Sequence, residues 1–209
     1  MTASSPEAFA VGLSRYLSPE DLARIRALRL GIAGAGGLGS NCAQLLVRSG
    51  FADFVIVDHD RIEASNLNRQ FYFAHQIGQP KVTGLRDNLL AINPDLRVRA
   101  LAEKMTPDNI ATFFADCQVV IEAFDQPWAK AMLVAHCLGR KTFLVAASGL
   151  AGCGDADAIV THRIRDNFYL VGDLESGIAP DRPPLAPRVA VAAAKQADLV
   201  LAFALGRLA

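Results

Sequence analysis

Residues 29–58 read RLGIAGAGGLGSNCAQLLVRSGFADFVIVD, and this stretch decides the fold. A short apolar run precedes a glycine cluster, a helical pattern follows it, and a second apolar run ends at Asp58. We therefore predict a strand over 29–33, a helix over 38–49 and a strand over 54–57. Short apolar runs that alternate with helical patterns are typical of a mostly parallel sheet wrapped by helices.

The same alternation continues along the rest of the chain. Further strands are predicted over 96–101, 119–123 and 142–146, and further helices over 80–92, 128–138 and 188–208, with a short helix capped by Thr106. Residues 155–171 have the pattern of two short strands that extend the sheet in an antiparallel direction. The predicted fold class is α/β, a Rossmann-like, mostly parallel sheet flanked by helices, with an antiparallel extension near the C-terminus.

The chain has 209 residues, a length that suits one domain. We interpret residues 1–28 as an N-terminal helical segment and residues 29–209 as a single Rossmann-like domain. Within that domain, segment 172–187 is rich in glycine, proline and charged residues and has no hydrophobic period. We expect this segment to form a mobile crossover loop. The apolar helix at 188–208 suits a core position and a subunit interface equally well.

The charge balance excludes several classes of partner. The chain has 21 Lys+Arg and 21 Asp+Glu, so its formal net charge is zero. Proteins that bind nucleic acid or an anionic membrane surface normally carry a basic excess, so neither partner is expected. The N-terminal sequence lacks the basic start and apolar run of a secretory signal, and no segment suits a membrane span. We therefore expect a cytoplasmic protein.

The four cysteines, Cys42, Cys117, Cys137 and Cys153, stand singly in the sequence. They form no CxxC pair and no Cys/His ligand spacing, so we expect neither a zinc site nor a disulfide framework. Their simplest interpretation is as small buried residues. The four histidines do not cluster in the sequence, and we interpret them as non-catalytic.

The glycine cluster lies at the junction of the first predicted strand and helix. Gly34, Gly36, Gly37 and Gly39 form a GxGxxG pattern, which lets the backbone turn tightly and approach a phosphate. The N-terminus of the following helix adds free N–H groups and a partial positive charge. Asp58, at the end of the next strand, is placed to accept hydrogen bonds from ribose hydroxyls. We predict a nucleotide site here, and the alternative is a purely structural glycine turn.

Two cations follow the second strand and help to identify the nucleotide. Arg69 lies in a loop and Lys81 at the start of a helix, and both can fold back over phosphates. Two cations beside a glycine-rich loop suit a triphosphate better than a hydride donor. Two alternatives stay open: ordinary solvated surface cations, and an NAD-dependent oxidoreductase, for which the region lacks an evident catalytic acid.

At this point the chain resembles the ThiF/MoeB/HesA family of adenylyltransferases, which activate ubiquitin-like sulfur-carrier proteins. The resemblance runs from residue 30 to the final helix. Within the family, the chain is most similar to the short, zinc-less ThiF-type branch of thiamine biosynthesis. The motifs that carry it are GAGGLG at 34–39, VDHD at 57–60, SNLNRQ at 65–70, GQPK at 78–81 and EAFD at 122–125.

The resemblance implies specific roles for matching residues. Asp58 would hold the ribose, Arg69 the triphosphate, Lys81 a phosphate, and Asp125 a Mg²⁺ ion. Within the SNLNRQ loop, the side chains of Asn66 and Gln70 are further predicted nucleotide ligands that could equally hold the loop. Asp125 could also cap the helix that follows it.

The implied activity is ATP-dependent activation of a C-terminal glycine carboxylate, forming an acyl-adenylate and pyrophosphate. The carboxylate is already ionised at neutral pH, so the protein needs no base and no covalent nucleophile, only neutralising and positioning groups. The expected partners are a small sulfur-carrier protein ending in Gly-Gly and a second copy of the chain in a homodimer.

Three departures from the family pattern limit these expectations. Ser18 stands where many members have an arginine that reaches the partner subunit's ATP. The paired CxxC motifs of zinc-containing members are absent, and segment 172–187 contains no cysteine. The predicted chemistry therefore stops at the adenylate, unless Cys153 lies near the site.

Two further alternatives remain for the family itself. One keeps the ATP site but changes the acceptor to a carboxylate on a modified tRNA nucleoside, which the zero net charge disfavours. The other is a nucleotide-binding partner protein without turnover, which the joint presence of Arg69, Lys81 and Asp125 disfavours.

Overall fold

The computed structural model describes residues 7–208, with seven α-helices, three short 3-10 helices and seven strands in that range. The strands are β1 (Arg29–Ala33), β2 (Asp53–Val57), β3 (Arg97–Leu101), β4 (Val119–Glu122), β5 (Phe143–Ala147), β6 (Val160–Arg165) and β7 (Phe168–Gly172). The helices are α1 (Glu7–Leu13), α2 (Pro19–Arg26), α3 (Gly37–Arg48), α4 (Lys81–Ile92), α5 (Ile110–Phe113), α6 (Pro127–Cys137) and α7 (Ala186–Ala204).

All seven strands form one sheet in the order β3-β2-β1-β4-β5-β7-β6. Strands β1 to β5 and β7 run parallel, and β6 pairs antiparallel with β7 at the edge. The predicted α/β class and the antiparallel extension are therefore confirmed. The strand order reverses between β1 and β4, and in such sheets the crevice outside the carboxyl ends of these strands is where ligands bind.

Each face of the sheet has its own core. Leu30 and Ile32 of β1 are fully buried in the larger cluster, while Ala33 belongs to the smaller one on the opposite face. Alternate residues of a strand point to opposite faces, and burial on both faces explains why these strands are continuous apolar runs.

Helix α7 belongs to the larger core. Val189, Ala193 and Val200 lie on its buried face. Of the two positions that its apolar face suited, the core position is therefore confirmed. The small alanine side chains allow α7 to pack closely on α3 and the sheet. A homodimer stays a prediction.

Two local expectations were wrong. Thr106 does not cap a helix, because α5 begins at Ile110 and the side-chain oxygen of Asn109 accepts a hydrogen bond from the Thr106 N–H at 2.8 Å. Cys153 is exposed, whereas the other three cysteines are buried as expected. Within residues 7–208, no helix has both the length and the apolar character that a membrane crossing requires.

Candidate active site

A cleft of about 830 Å³ lies at the carboxyl ends of the central strands. It collects nearly all of the predicted site residues, which come from five separate stretches of the chain. The predicted residues on its walls are Gly34, Gly36, Gly37, Asp58, Asn66, Arg69, Gln70, Lys81 and Asp125. Gly39 is the exception, since it lies within α3 and is not on the cleft wall.

The glycines of the turn have different physical roles. Gly34 has a φ of +102°, and a β-carbon there would approach the Ala123 carbonyl oxygen to 2.7 Å. A β-carbon on Gly39 would overlap the carbonyl oxygen of Gly34, so Gly39 is required for packing. Gly36 precedes α3, and a β-carbon there would meet nothing nearer than the Gln70 side-chain nitrogen at 3.9 Å. The turn is therefore open to the cleft at Gly36 alone of these three.

Asp58 connects the glycine turn to the loop that follows β2. Its Oδ2 atom accepts a hydrogen bond from the Ala35 N–H at 2.6 Å, and its Oδ1 atom accepts one from the Asp60 N–H at 2.8 Å. Each carboxylate oxygen can accept a second hydrogen bond, so these contacts orient Asp58 and leave acceptor capacity for ribose hydroxyls.

The two predicted cations are held in place before any phosphate binds. The Lys81 side chain is only 9% exposed, and its Nζ atom lies 2.7 Å from Oδ2 of Asp60. Arg69 donates to the Ser65 carbonyl oxygen at 3.3 Å and to the Asn68 side chain at 2.8 Å through one terminal nitrogen. Within residues 7–208, the other guanidinium nitrogens of Arg69 have no hydrogen bond, so they are available to an anion.

Asn66 and Gln70 line the same wall but differ in their bonding. The Asn66 side-chain oxygen accepts a hydrogen bond from the Glu63 N–H at 3.1 Å, so Asn66 holds its own loop. Gln70 is buried, and its Oε1 atom has no hydrogen-bond partner within residues 7–208. A buried amide oxygen without a partner is costly, and a ligand or water in the cleft would satisfy it.

Two side chains that the sequence did not single out hold this wall together. The Asn41 side-chain nitrogen donates to the carbonyl oxygens of Gly37 at 2.6 Å and Arg69 at 2.8 Å. The Tyr72 hydroxyl is shared between the carbonyl oxygens of Ala35 at 2.6 Å and Lys81 at 3.3 Å. Burial and the nearby carboxylates raise the pKa of Tyr72, so its hydroxyl remains a donor. Asn41 and Tyr72 each lie two residues after a motif, and this proximity was the only sequence signal for their role.

The opposite wall begins at the end of β4. Asp125 is exposed to the cleft, and its carboxylate has no hydrogen bond within residues 7–208. It does not cap α6, because Gln126 occupies the cap position without a side-chain hydrogen bond. An unengaged carboxylate beside a phosphate site is the type of ligand that Mg²⁺ uses together with phosphate oxygens and water. The residues therefore fit the predicted ion.

Three residues before Asp125, Glu122 forms a buried ion pair with Lys130. The Nζ atom of Lys130 lies 2.9 Å from Oε2 and 3.1 Å from Oε1 of Glu122. Burial raises the pKa of Glu122, although the charge of Lys130 and the Phe124 N–H oppose that shift. Lys130 also lines the cleft, but the sequence did not identify this pair.

The crossover loop is anchored at its start. Arg188 is buried, forms an ion pair with Asp173, and donates to the carbonyl oxygens of Gly154 at 2.9 Å and Asp155 at 2.6 Å. Burial alone raises the pKa of Asp173, but hydrogen bonds from the Ser176 hydroxyl and the N–H groups of residues 175 and 176, with the charge of Arg188, lower it overall. The following residues 174–178 line the cleft. Mobility of the remainder stays a prediction.

The amino-acid sequence matches the profile of the ThiF family over residues 10–206. The chain belongs to the ThiF family. The resemblance inferred from the glycine turn, the SNLNRQ loop and the EAFD motif is thereby confirmed at the level of the family.

Individual relatives correct the finer placement. The chain is 31% identical to the tRNA threonylcarbamoyladenosine dehydratase of Haemophilus influenzae over 150 residues, which cover 71% of this chain and 58% of that protein. It is 32% identical to the Bacillus subtilis enzyme of the same name, covering 70% of this chain and 61% of that protein. The sulfur carrier protein adenylyltransferase of Thermus thermophilus is 34% identical, but over only 52% of this chain and 41% of that protein. These relatives do not support the expected thiamine branch.

The solved structures show the same fold. The Escherichia coli tRNA N6-threonylcarbamoyladenosine dehydratase in complex with ATP superposes with a TM-score of 0.87 at 22% identity, covering 99% of this chain and 98% of that one. The E. coli MccB structure with ATP superposes with a TM-score of 0.72 at 20% identity, covering 98% and 65%. The chain spans about three-fifths of the length of the curated dehydratases that it matches.

Proposed function

We propose that this protein activates a carboxylate by transferring the adenylyl group of Mg²⁺-ATP to it. The observation that carries the proposal is the convergence, in one cleft, of a glycine turn open at Gly36, the ribose acceptor Asp58 and the cations Arg69 and Lys81. These groups come from separate elements of the fold. Together they match the ribose and the polyphosphate of ATP.

The chemistry follows from charge. A carboxylate oxygen of the acceptor attacks the α-phosphorus, the bond from phosphorus to the bridging oxygen breaks, and pyrophosphate leaves with that bond's electron pair. The N–H groups at the start of α3, Arg69 and Lys81 reduce the repulsion between the two anions and hold them in line. Asp125 would hold Mg²⁺, which supplies additional positive charge to the phosphates when bound.

For the acceptor, we propose first the threonine carboxylate of a threonylcarbamoyladenosine in tRNA. The named relatives that cover about 70% of this chain are dehydratases of that nucleoside. An adenylated carboxylate can lose AMP to attack by a nucleophile of the same side chain, which closes a ring with net loss of water. Trp128 supports this acceptor, since it is 54% exposed, directly follows Pro127 of the cleft wall, and has the Lys104 ammonium 5.9 Å from its ring centroid. An exposed aromatic ring with a cation suits base stacking.

A second acceptor is the C-terminal glycine of a small ubiquitin-like carrier protein. The charge distribution favours it, because the cleft is lined by six acidic and four basic side chains rather than by a basic track. The Thermus relative acts, by its name, on a sulfur carrier protein. A homodimer is part of this proposal and is tested by light scattering.

The acceptor is tested by exchange of labelled pyrophosphate into ATP. The purified protein is assayed with tRNA that carries threonylcarbamoyladenosine, with the same tRNA lacking the modification, and with a carrier protein ending in Gly-Gly. Exchange with modified tRNA alone supports the first acceptor, and exchange with the carrier alone supports the second. Absence of exchange with every acceptor, in a protein that binds ATP, contradicts adenylation and supports a partner without turnover.

The assigned residues are tested in the same assay. Arg69→Ala and Lys81→Ala should each reduce exchange at least 100-fold, because each removes a charged donor from the phosphates. Arg99→Ala is the matched control, since Arg99 is an exposed cation on β3 away from the cleft. Exchange that persists in both site variants would contradict their roles.

A further inference from the structure

The pair formed by Glu122 and Lys130 connects three parts of the site. Glu122 is the last residue of β4, and its side chain is 1% exposed. Lys130 is the fourth residue of α6, with a side chain that is 25% exposed at the cleft. Their charged atoms are 2.9 Å apart, so the carboxylate and the ammonium are in direct contact.

All three protons of the Lys130 ammonium have protein partners. Two face the Glu122 oxygens, and the third is donated to the Ala147 carbonyl oxygen, at the end of β5, at 2.9 Å. Lys130 therefore has no free donor for a phosphate, although it lines the cleft. Lys81 differs, because its single side-chain hydrogen bond within residues 7–208 is to Asp60.

The Glu122 carboxylate also sets the path of the chain toward Asp125. Its Oε1 atom accepts a hydrogen bond from the Phe124 N–H at 2.7 Å, and Phe124 directly precedes Asp125. The backbone of Glu122 is held as well, because the side-chain nitrogen of Gln196 donates to the Glu122 carbonyl oxygen at 3.1 Å. The turn between β4 and Asp125 is thus held on both sides.

Stability alone is a weak reason for such a pair. Removing a carboxylate and an ammonium from water costs several kcal/mol per ion, and well-packed apolar residues often stabilise a fold as well as a buried ion pair. What the ion pair adds is geometry: one ammonium fixes the ends of β4 and β5 relative to each other, with three directed hydrogen bonds. Those two ends form the cleft wall that presents Asp125.

We propose that Glu122 and Lys130 form a positioning pair that holds Asp125 where it can engage Mg²⁺ on the nucleotide. This inference rests on the proposed function, because it assigns Asp125 to that ion. The pair does not touch the nucleotide and acts through the Phe124 N–H and the Ala147 carbonyl. Residues that orient a metal ligand typically change metal affinity 10- to 100-fold when they are replaced.

The test uses the double variant E122Q/K130M, which removes both charges and keeps similar side-chain volumes. Because neither charge is left unpaired, the variant should keep a melting temperature close to that of the unmodified protein. Calorimetry then measures binding of a non-hydrolysable α,β-methylene analogue of ATP over a series of Mg²⁺ concentrations. Without Mg²⁺, we expect the double variant to bind the analogue as tightly as the unmodified protein does. Mg²⁺ should increase the affinity for the analogue, and the Mg²⁺ concentration that gives half of this increase should be about 10-fold or more higher in the double variant.

The matched control is D53N. Asp53 pairs with Arg29 and Arg97 away from the cleft, so its loss should leave the Mg²⁺ requirement unchanged. Unaltered Mg²⁺ dependence in a folded E122Q/K130M, or no Mg²⁺ dependence in the unmodified protein, would overturn the positioning role. If the double variant does not fold, E122D decides, since it keeps the charge but shortens the reach to Phe124. A normal Mg²⁺ requirement in E122D then overturns the proposal.

Failure of the proposed function gives a different result. An unmodified protein that binds the analogue in a Mg²⁺-dependent manner but exchanges no pyrophosphate with any acceptor contradicts adenylation. The positioning role would still be supported in that case if the double variant raised the Mg²⁺ requirement.

Discussion

The hydroxyl of Tyr72 lies 2.6 Å from the carbonyl oxygen of Ala35, inside the glycine turn. The same hydroxyl lies 3.3 Å from the carbonyl oxygen of Lys81, whose ammonium is the proposed phosphate-binding cation. A single buried group therefore connects the two sides of the proposed polyphosphate site.

Replacing Tyr72 with phenylalanine should remove these hydrogen bonds without leaving a cavity in the core. We expect Tyr72→Phe to lower the free energy of unfolding by about 1 kcal/mol, the net value of one hydrogen bond, and to weaken ATP binding several-fold. Urea denaturation and calorimetry measure the two effects. Tyr16→Phe is the control, because Tyr16 is exposed. Equal behaviour of the two variants would contradict this role of the hydroxyl.

Two glycines of the motif are needed for different reasons, Gly36 for phosphate binding and Gly39 for packing. Gly36→Ala should fold normally, because a methyl group there meets no neighbouring atom closely, and it should weaken ATP binding at least 10-fold by occupying the phosphate approach. Gly39→Ala should destabilise the fold, because its methyl group would overlap the Gly34 carbonyl oxygen. Thermal denaturation and ATP titration distinguish the two. Normal ATP affinity in Gly36→Ala would argue against phosphate binding at the turn.

The Arg188–Asp173 pair predicts a pH-dependent contribution to stability. Asp173→Asn leaves the buried Arg188 charge without its partner and should cost about 3 kcal/mol at pH 7. The pKa of Asp173 is lower in the folded state, so its stabilisation is present above the unfolded-state pKa of about 3.9 and is lost as the pH falls through the folded-state pKa. The difference between the two proteins should shrink below about pH 4. A difference that stays constant down to pH 3 would contradict the assignment.

Lys81 should matter for its charge and not for its packing. Lys81→Met keeps a similar apolar stem, so we expect normal folding and a fall of 100- to 1,000-fold in pyrophosphate exchange. The exposed Lys141, remote from the cleft, gives Lys141→Met as a control that should retain full exchange. Comparable rates in the two variants would remove Lys81 from the proposed phosphate site.

Some site residues could be found from sequence because their signals are local. The glycines, Asp58, Arg69 and Lys81 follow recognisable strand and helix boundaries, and parallel strands bring their carboxyl ends to one edge of the sheet. The error at Thr106 is also local. Thr106 is a plausible capping residue, but Asn109 occupies the cap position of α5, and its side-chain oxygen accepts a hydrogen bond from the Thr106 N–H.

The amino-acid sequence by itself determined the α/β class, the family and the wall of the cleft that carries the cations, because strand runs and motifs are short-range patterns. Only the tertiary structure decided which ion pairs hold the crossover loop and the opposite wall of the cleft in place. The pairs Arg188–Asp173 and Lys130–Glu122, the latter reaching also to Ala147, join separate elements of the fold. Directed contacts of this kind depend on where strands end and helices pack, and sequence periodicity carries no information about the distance between two such side chains.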